Sequence, residues 1–249
     1  MSYQPRFYRE TMGNFRWKNF RAEYLESDLW VAVDSASFLP AMTGYARERL
    51  VFYRGILDDH IRQFPEFMSS LIPLEIPGSL HPLVCEMYKA SKASGTGPMS
   101  AVAGAIAEYI CNDLLEEYGC MEVIVENGGD IYMKVVLPAT ISVYAGSSPL
   151  SGKIGLVIKP GDTPVSVCCS SGTIGHSISF GVADACMIAC RSGALADAYA
   201  TAFCNEVKSL DSINRVTEAA LKNGDILSVV IIKDDRTGIG GQLEVKFLH

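Results

Sequence analysis

The chain reads as an α+β fold, a mixed or antiparallel sheet flanked by helices, and three observations predict this. Short apolar strands crowd its second half, at residues 122–125, 131–136, 141–144, 154–158 and 165–169. Helical segments fall between groups of strands and not after each one, which disfavours a doubly wound parallel sheet. The 249 residues are 49% apolar and contain no linker, repeat or low-complexity tract, so residues 1–249 are expected to bury one core as a single domain.

The elements follow in chain order. Phe15, Trp17, Phe20 and Tyr24, then Leu29, Val31 and Val33, lie among charged residues and suggest a hairpin or meander turning at Glu26-Ser27-Asp28. Leu50, Val51, Ile56, Leu57 and Ile61 recur at helical spacing over residues 45–64, before Pro65, Pro73, Pro77 and Pro82 make the chain irregular. A helix over 81–93 and a glycine-bearing loop lead to the clearest helix, 99–118, which opens behind Pro98 and stops at Gly119. Beyond the five strands come a strand over 183–190, helices over 194–206 and 211–222, and strands over 226–232 and 243–247. The last two strands flank the turn-rich Asp234-Asp235-Arg236-Thr237-Gly238.

Composition narrows the function. A net charge of −7 argues against broad nucleic-acid binding, which needs clustered Lys and Arg. An anionic ligand would therefore need backbone amides, a helix N-terminus or a cation. Residues 1–20 carry no apolar h-region and no apolar run approaches the roughly 18 residues of a membrane span. The expected compartment is the cytoplasm, with no membrane partner. The eight cysteines have neither zinc-site nor disulfide-scaffold spacing and are expected to be free, mostly buried thiols; the vicinal Cys168 and Cys169 fit either a redox-active pair or opposite faces of one strand.

Four segments can carry chemistry. Glu126-Asn127-Gly128-Gly129-Asp130-Ile131 is a strand, a glycine turn and a carboxylate. Gly128-Gly129 serves equally as a hairpin turn needing positive φ or as a gap letting a phosphate or ring reach the backbone, with Asn127 and Asp130 as polar contacts. Asp197 and Thr201 share one face of a helix of small apolar residues. A buried carboxylate needs a partner, and Asp plus a hydroxyl suits Mg²⁺; the alternative is an Asp near the helix start, with Thr201 bonding back to a carbonyl. Ser170-Ser171-Gly172-Thr173-Ile174-Gly175-His176 follows a strand and can cradle phosphate, with His176 as general acid or base or as a structural histidine. Gly97, in Ser94-Gly95-Thr96-Gly97-Pro98-Met99-Ser100, precedes the long helix, whose positive end offers an anion site if the loop is more than a connection.

In order, these segments are Gly97 to Glu108, Glu126 to Ile131, Ser170-Ser171-Gly172 and Ala196-Asp197-Ala198-Tyr199-Ala200-Thr201-Ala202. Their succession over residues 94–206 resembles the ApbE-like superfamily, whose characterised members are FAD-dependent, Mg²⁺-requiring FMN transferases. The resemblance implies an ApbE-like fold. It places a flavin nucleotide, FAD or FMN, at Asn127 to Asp130, Mg²⁺ on Asp197 and Thr201, and the family's Ser-Gly on Ser171 and Gly172; if the chain is catalytic, His176 and Asp197 are its candidate catalytic residues. A protein acceptor would supply the hydroxyl that receives FMN. The chain departs from the transferases in two places. Ala103 stands where they carry lysine before Gly104, and His176 is followed by Ser177-Ile178-Ser179-Phe180-Gly181 without their Asp-Pro. Three functions are therefore carried forward: a flavin-binding, Mg²⁺-dependent protein with FMN transfer; a non-catalytic ligand-binding protein of the same fold; and an enzyme acting on another phosphorylated or heterocyclic small molecule. The aromatic N-terminal strands can add to a partner's sheet edge, so a homodimer is among the expected states.

Overall fold

Alternation and helical spacing resolve into two sheets and one helical layer in the computed structural model, which describes residues 16–173 and 180–248. Strands β1 (Trp17–Tyr24) and β2 (Ser27–Asp34) form the expected hairpin, but it turns at Leu25-Glu26, where Leu25 has φ +52°. Helix α1 (Ala41–Gln63) begins directly behind Pro40, earlier than its apolar repeat suggests, and buries Met42, Ala46, Leu50, Tyr53, Leu57 and His60 on one stripe. The short α2 (Glu66–Ser69) follows Pro65. In α3 (Pro82–Ser94) the first turn is capped by His81, whose Nδ1 accepts the Leu83 N–H at 3.2 Å. A 3₁₀ turn over Pro98–Ala101 then leads into α4 (Val102–Tyr118), which ends at left-handed Gly119.

Strands β3 (Val123–Asn127) and β4 (Asp130–Lys134) are joined by Gly128 and Gly129 at φ +69° and +106°, so this segment is the two-residue hairpin its glycines predict. Next come β5 (Ala139–Ser142), β6 (Ile154–Ile158), β7 (Val165–Ser170) and β8 (Ala185–Cys190), with β5 two residues ahead of its expected place. Helices α5 (Gly193–Glu206) and α6 (Ser212–Leu221) precede β9 (Ile226–Lys233), β10 (Arg236–Gly241) and β11 (Glu244–Phe247). The sequence reading assigned β10 to a turn. In fact the chain reverses at Asp234-Asp235 and pairs straight back on β9.

One eight-stranded antiparallel sheet runs β1-β2-β3-β4-β7-β8-β9-β10, and β11-β6-β5 form a second sheet of three. Helices α1, α3 and α4 pack on one half of the large sheet, with Leu50, Met87, Ile106 and Ile110 against Val31, Val123 and Val125. On the other half α5 and α6 set Tyr199, Cys204 and Val216 against Ile188, Val229 and Ile231. The opposite face of the sheet, including Met133, Val167 and Val230, meets Ile154, Leu156 and Ile158 of the small sheet. Strands buried on both faces lose the apolar–polar alternation of a half-exposed sheet, which is why their boundaries blur in the sequence. All eight cysteines are free thiols, and Cys168 and Cys169 do face opposite cores. Among the described residues no helix is long and apolar enough to cross a membrane.

Candidate functional site

The β3–β4 turn sets the first group of candidate residues. Side chains alternate along a strand, so Asn127 and Asp130 project to the helix face while Glu126 points to the other. Asn127 Nδ2 donates to the Ala103 carbonyl at 3.1 Å, which ties the turn to the start of α4. Glu126 Oε1 accepts the Gly129 N–H at 2.7 Å, so that amide is already used within the turn. A Cβ on Gly129 would meet Cys169 O only at 3.7 Å, an ordinary contact, so the backbone angle and not the space demands glycine. Asp130 is buried; its Oδ1 accepts the Cys169 N–H at 3.2 Å, and the Cys168 thiol bonds it from the neighbouring strand. Its carboxyl is held well above the usual range, first by burial and then by the negative charge of Asp197.

Small residues bring α5 to that same place. Gly104 of α4 and Gly193 of α5 touch backbone to backbone, and a Cβ on either would stand 2.2 Å from the other's carbonyl oxygen. This crossing lets Asp197 reach the first turn of α4, where its carboxylate accepts the Gly104 N–H at 2.9 Å and is also bonded by the Ala103 N–H. Burial raises Asp197 to about 7, partly offset by those two amides. Asp197 is not an N-cap of its own helix, which Ser192 caps through the Leu195 N–H at 3.4 Å; it supplies α4 with the side-chain cap that Ala101 lacks. The α4 terminus expected as an anion site thus already has a carboxylate. Thr201 follows one turn along α5, half-buried on the same face.

The remaining candidates sit at the margins. Gly97 starts the 3₁₀ turn and has no room for a side chain, since a Cβ would lie 1.7 Å from Ser70 O. The hydroxyls beside it satisfy one another, Ser94 with Thr96 at 2.7 Å and Thr96 with Ser100 at 2.6 Å. Ser171 accepts the Thr173 N–H at 3.1 Å in an outer turn after β7. Gly172 donates to Ala183 O at 2.9 Å, and its missing Cβ is required by Gly181 O at 2.1 Å, so chain packing alone explains this glycine. His176 lies outside the described residues.

Sequence reasoning missed two groups. Ser170 is buried, and its hydroxyl has no hydrogen-bond partner among the described residues. Strand β7 runs antiparallel to β4 with Val167 opposite Ile131, so its end carries Ser170 level with the glycine turn, on the face that Cys168 shares with Asp130. Its one signal was its place at the head of Ser-Ser-Gly. Glu108 Oε2 accepts the Gly193 N–H at 2.7 Å, and burial together with the charge of Glu86 lifts it to about 7. Its signal was a lone acid in the small-residue half of α4. Among the described residues no three His, Cys, Asp or Glu side chains converge as a ready-made metal cluster.

Comparison with known proteins places this arrangement in a family. A family model described as AbpE bacteria matches residues 10–234. A UPF0280 protein of Methanococcus aeolicus is 34% identical over 223 residues, 88% of each chain. One from Methanothermobacter thermautotrophicus is 39% identical over 193 residues, 75% of this chain and 73% of its own. Among solved structures, the flavin transferase ApbE from Vibrio cholerae superposes with a TM-score of 0.57 at 11% identity, covering 91% of this chain and 97% of its own. The ApbE protein from Thermotoga maritima does so at 0.59 and 12%, covering 90% and 97%. At these low identities the superpositions show a shared fold alone. The chain belongs to the AbpE bacteria family and is an ApbE-like superfamily member of α+β fold.

Proposed function

We propose that the chain binds a flavin nucleotide, FAD or FMN, or a related phosphorylated ligand, together with Mg²⁺, between the β3–β4 turn and α5. The observation that carries this reading is the facing pair Asp130 and Asp197. Both carboxyls are displaced upward, Asp130 partly by the charge of Asp197. A buried acid and a half-buried one that repel are stabilised by a cation between them. The donor set fits a hard cation: one Asp197 oxygen is oriented by the Gly104 amide, as ligating carboxylates commonly are, and Thr201 adds a hydroxyl on the same face. The Ser170 hydroxyl, which has no partner among the described residues, and the side-chain-free turn at Gly128-Gly129 suit a polar ligand beside it.

In this reading Asp197 and Thr201 hold the metal, Asn127 to Asp130 frame the nucleotide, and Ser170 donates to it. A bound Mg²⁺ neutralises charge on pyrophosphate oxygens. The likeness to flavin transferases supports the flavin as ligand. Titrating the purified protein with FAD, with and without Mg²⁺, and following flavin fluorescence tests the reading; binding that ignores the metal, or no binding, ends it.

One observation favours the second reading, a ligand-binding protein without transferase chemistry. Ala103, where the transferases carry lysine, offers only its peptide, and that is spent on Asp197 and Asn127. Transfer would join FMN phosphorus to an acceptor hydroxyl and release AMP. AMP release with FAD, Mg²⁺ and cell extract separates the two, and its absence leaves the binder.

A further inference from the structure

We propose that Glu108 is the positioning residue of the candidate cation site, fixing Asp197 through the α4–α5 crossing. The functional meaning of this proposal rests on the cation reading above, whereas its geometry stands separately. The crossing has a near two-fold pattern. Glu108 lies four residues after Gly104 and Asp197 four residues after Gly193. Each carboxylate reaches back over its own glycine to an amide of the other helix, Glu108 to Gly193 at 2.7 Å and Asp197 to Gly104 at 2.9 Å. Between them the two glycine backbones are in direct contact, with no side chain to absorb a shift. A displacement of the Gly193 amide is therefore passed on to Gly104, the donor that orients Asp197. The same displacement moves the first turn of α5, one turn above Asp197.

Stability alone gives a poor account of Glu108. Ser192 already caps α5, so the start of that helix does not depend on Glu108 for its cap. The groups around Glu108 include Glu86 from α3, Tyr132 from β4, Ser192 before α5, and Tyr109 and Cys111 on its own helix. Glu86 opposes its charge, while Tyr132, Ser192 and the Gly193 amide hold it in place by hydrogen bonds. The arrangement fixes a rigid acceptor at the root of α5, as a supporting shell does behind a metal ligand.

The test uses the full chain, with Mn²⁺ as the probe cation, followed by loss of the free-ion spin-resonance signal, and with the Gly104 amide proton followed by NMR. Asp197→Asn examines the cation reading itself and is expected to abolish Mn²⁺ binding. Glu108→Ala is expected to weaken Mn²⁺ by roughly tenfold or more and to move the Gly104 resonance upfield, although the hydrogen bond it removes is to Gly193 and not to Gly104. Glu108→Gln keeps an oxygen for the Gly193 N–H and is expected to restore both readouts, which a loss of bulk stability would not explain. If Glu108→Ala does not fold, Glu108→Asp, one methylene short of Gly193, takes its place with the same expectations in weaker form. An unchanged Gly104 resonance and Mn²⁺ affinity in the folded variant would overturn the proposal, as would a Gln variant as impaired as Ala. If the wild-type chain takes up no Mn²⁺, the cation reading fails and the Gly104 resonance still decides whether Glu108 positions Asp197.

Discussion

Gly104 and Gly193 each occupy the space in which the other would place a side chain, with the carbonyl oxygen of one 2.2 Å from the Cβ position of its partner. The clash is with backbone on both sides, so no rotamer change relieves it. Overpacking of this kind costs about 1–3 kcal/mol or more. Gly104→Ala and Gly193→Ala are each expected to lower unfolding free energy by at least that amount in urea titrations. Gly224→Ala, at a site with open space within 4 Å, is the control and is expected to be neutral or stabilising. Equal effects at all three positions would remove the crossing as a constraint.

The carboxyls beside those glycines set a pH dependence. Glu108 and Asp197 are each raised to about 7, in both cases first by burial. An acid with a raised folded value contributes fully while protonated in both states, below about pH 4. That contribution is lost as pH rises toward 7, because the unfolded chain releases its protons first. Each shift alone caps at about 3–4 kcal/mol, and solvent around these half-buried groups brings the expected combined loss to about 2–4 kcal/mol. Unfolding free energy is therefore expected to be lower at pH 8 than at pH 5. Glu108→Gln, which removes one of the two titrations, should flatten the profile; an unchanged profile would mean that Glu108 titrates normally.

These two acids also mark where sequence reasoning reaches its limit. Helix α4 and the hairpin at Asn127 to Asp130 were legible because their signals are local: Pro98 before, Gly119 after, and a glycine pair between apolar strands. Asp197 was legible as a buried acid needing a partner. That its partner is the amide of Gly104, 93 residues earlier, was not, since only the packed sheet brings α4 and α5 together. Glu108 and Gly193 are 85 residues apart and were missed for the same reason. Strand β10 was read as a turn because Arg236-Thr237-Gly238 carries turn residues, yet Gly238 is there to let Thr217 of α6 approach, its Oγ1 2.1 Å from the Cβ position.

Ser170 separates stability from binding. The Ser170 hydroxyl has no partner among the described residues, and a buried hydroxyl left so costs about 1–3 kcal/mol, so Ser170→Ala is expected to leave the unliganded chain as stable as wild type or more so. If that hydroxyl serves a ligand, the same substitution should weaken Mg²⁺-dependent FAD binding several-fold. Calorimetric unfolding together with the flavin titration reads both. A destabilised Ser170→Ala chain would show that the hydroxyl has a protein partner after all.

Asp130 gives the sharpest contrast. Its carboxyl is buried, raised and exposed to the charge of Asp197, while Oδ1 holds the Cys169 N–H. Asn at this position keeps an oxygen for that amide and removes the charge. At pH 8 without metal, Asp130→Asn is expected to match wild type or exceed it by about 1–3 kcal/mol, as replacement of an uncompensated buried charge does. Mg²⁺ should act the other way. A cation bound at one hundred times its dissociation constant adds about 2.7 kcal/mol to the wild-type chain, and Asp130→Asn should lose most of that gain. Thermal unfolding across a Mg²⁺ series at pH 8 checks both halves. A less stable metal-free variant would mean that the Asp130 charge is satisfied within the protein, and an undiminished Mg²⁺ shift would place the cation away from Asp130.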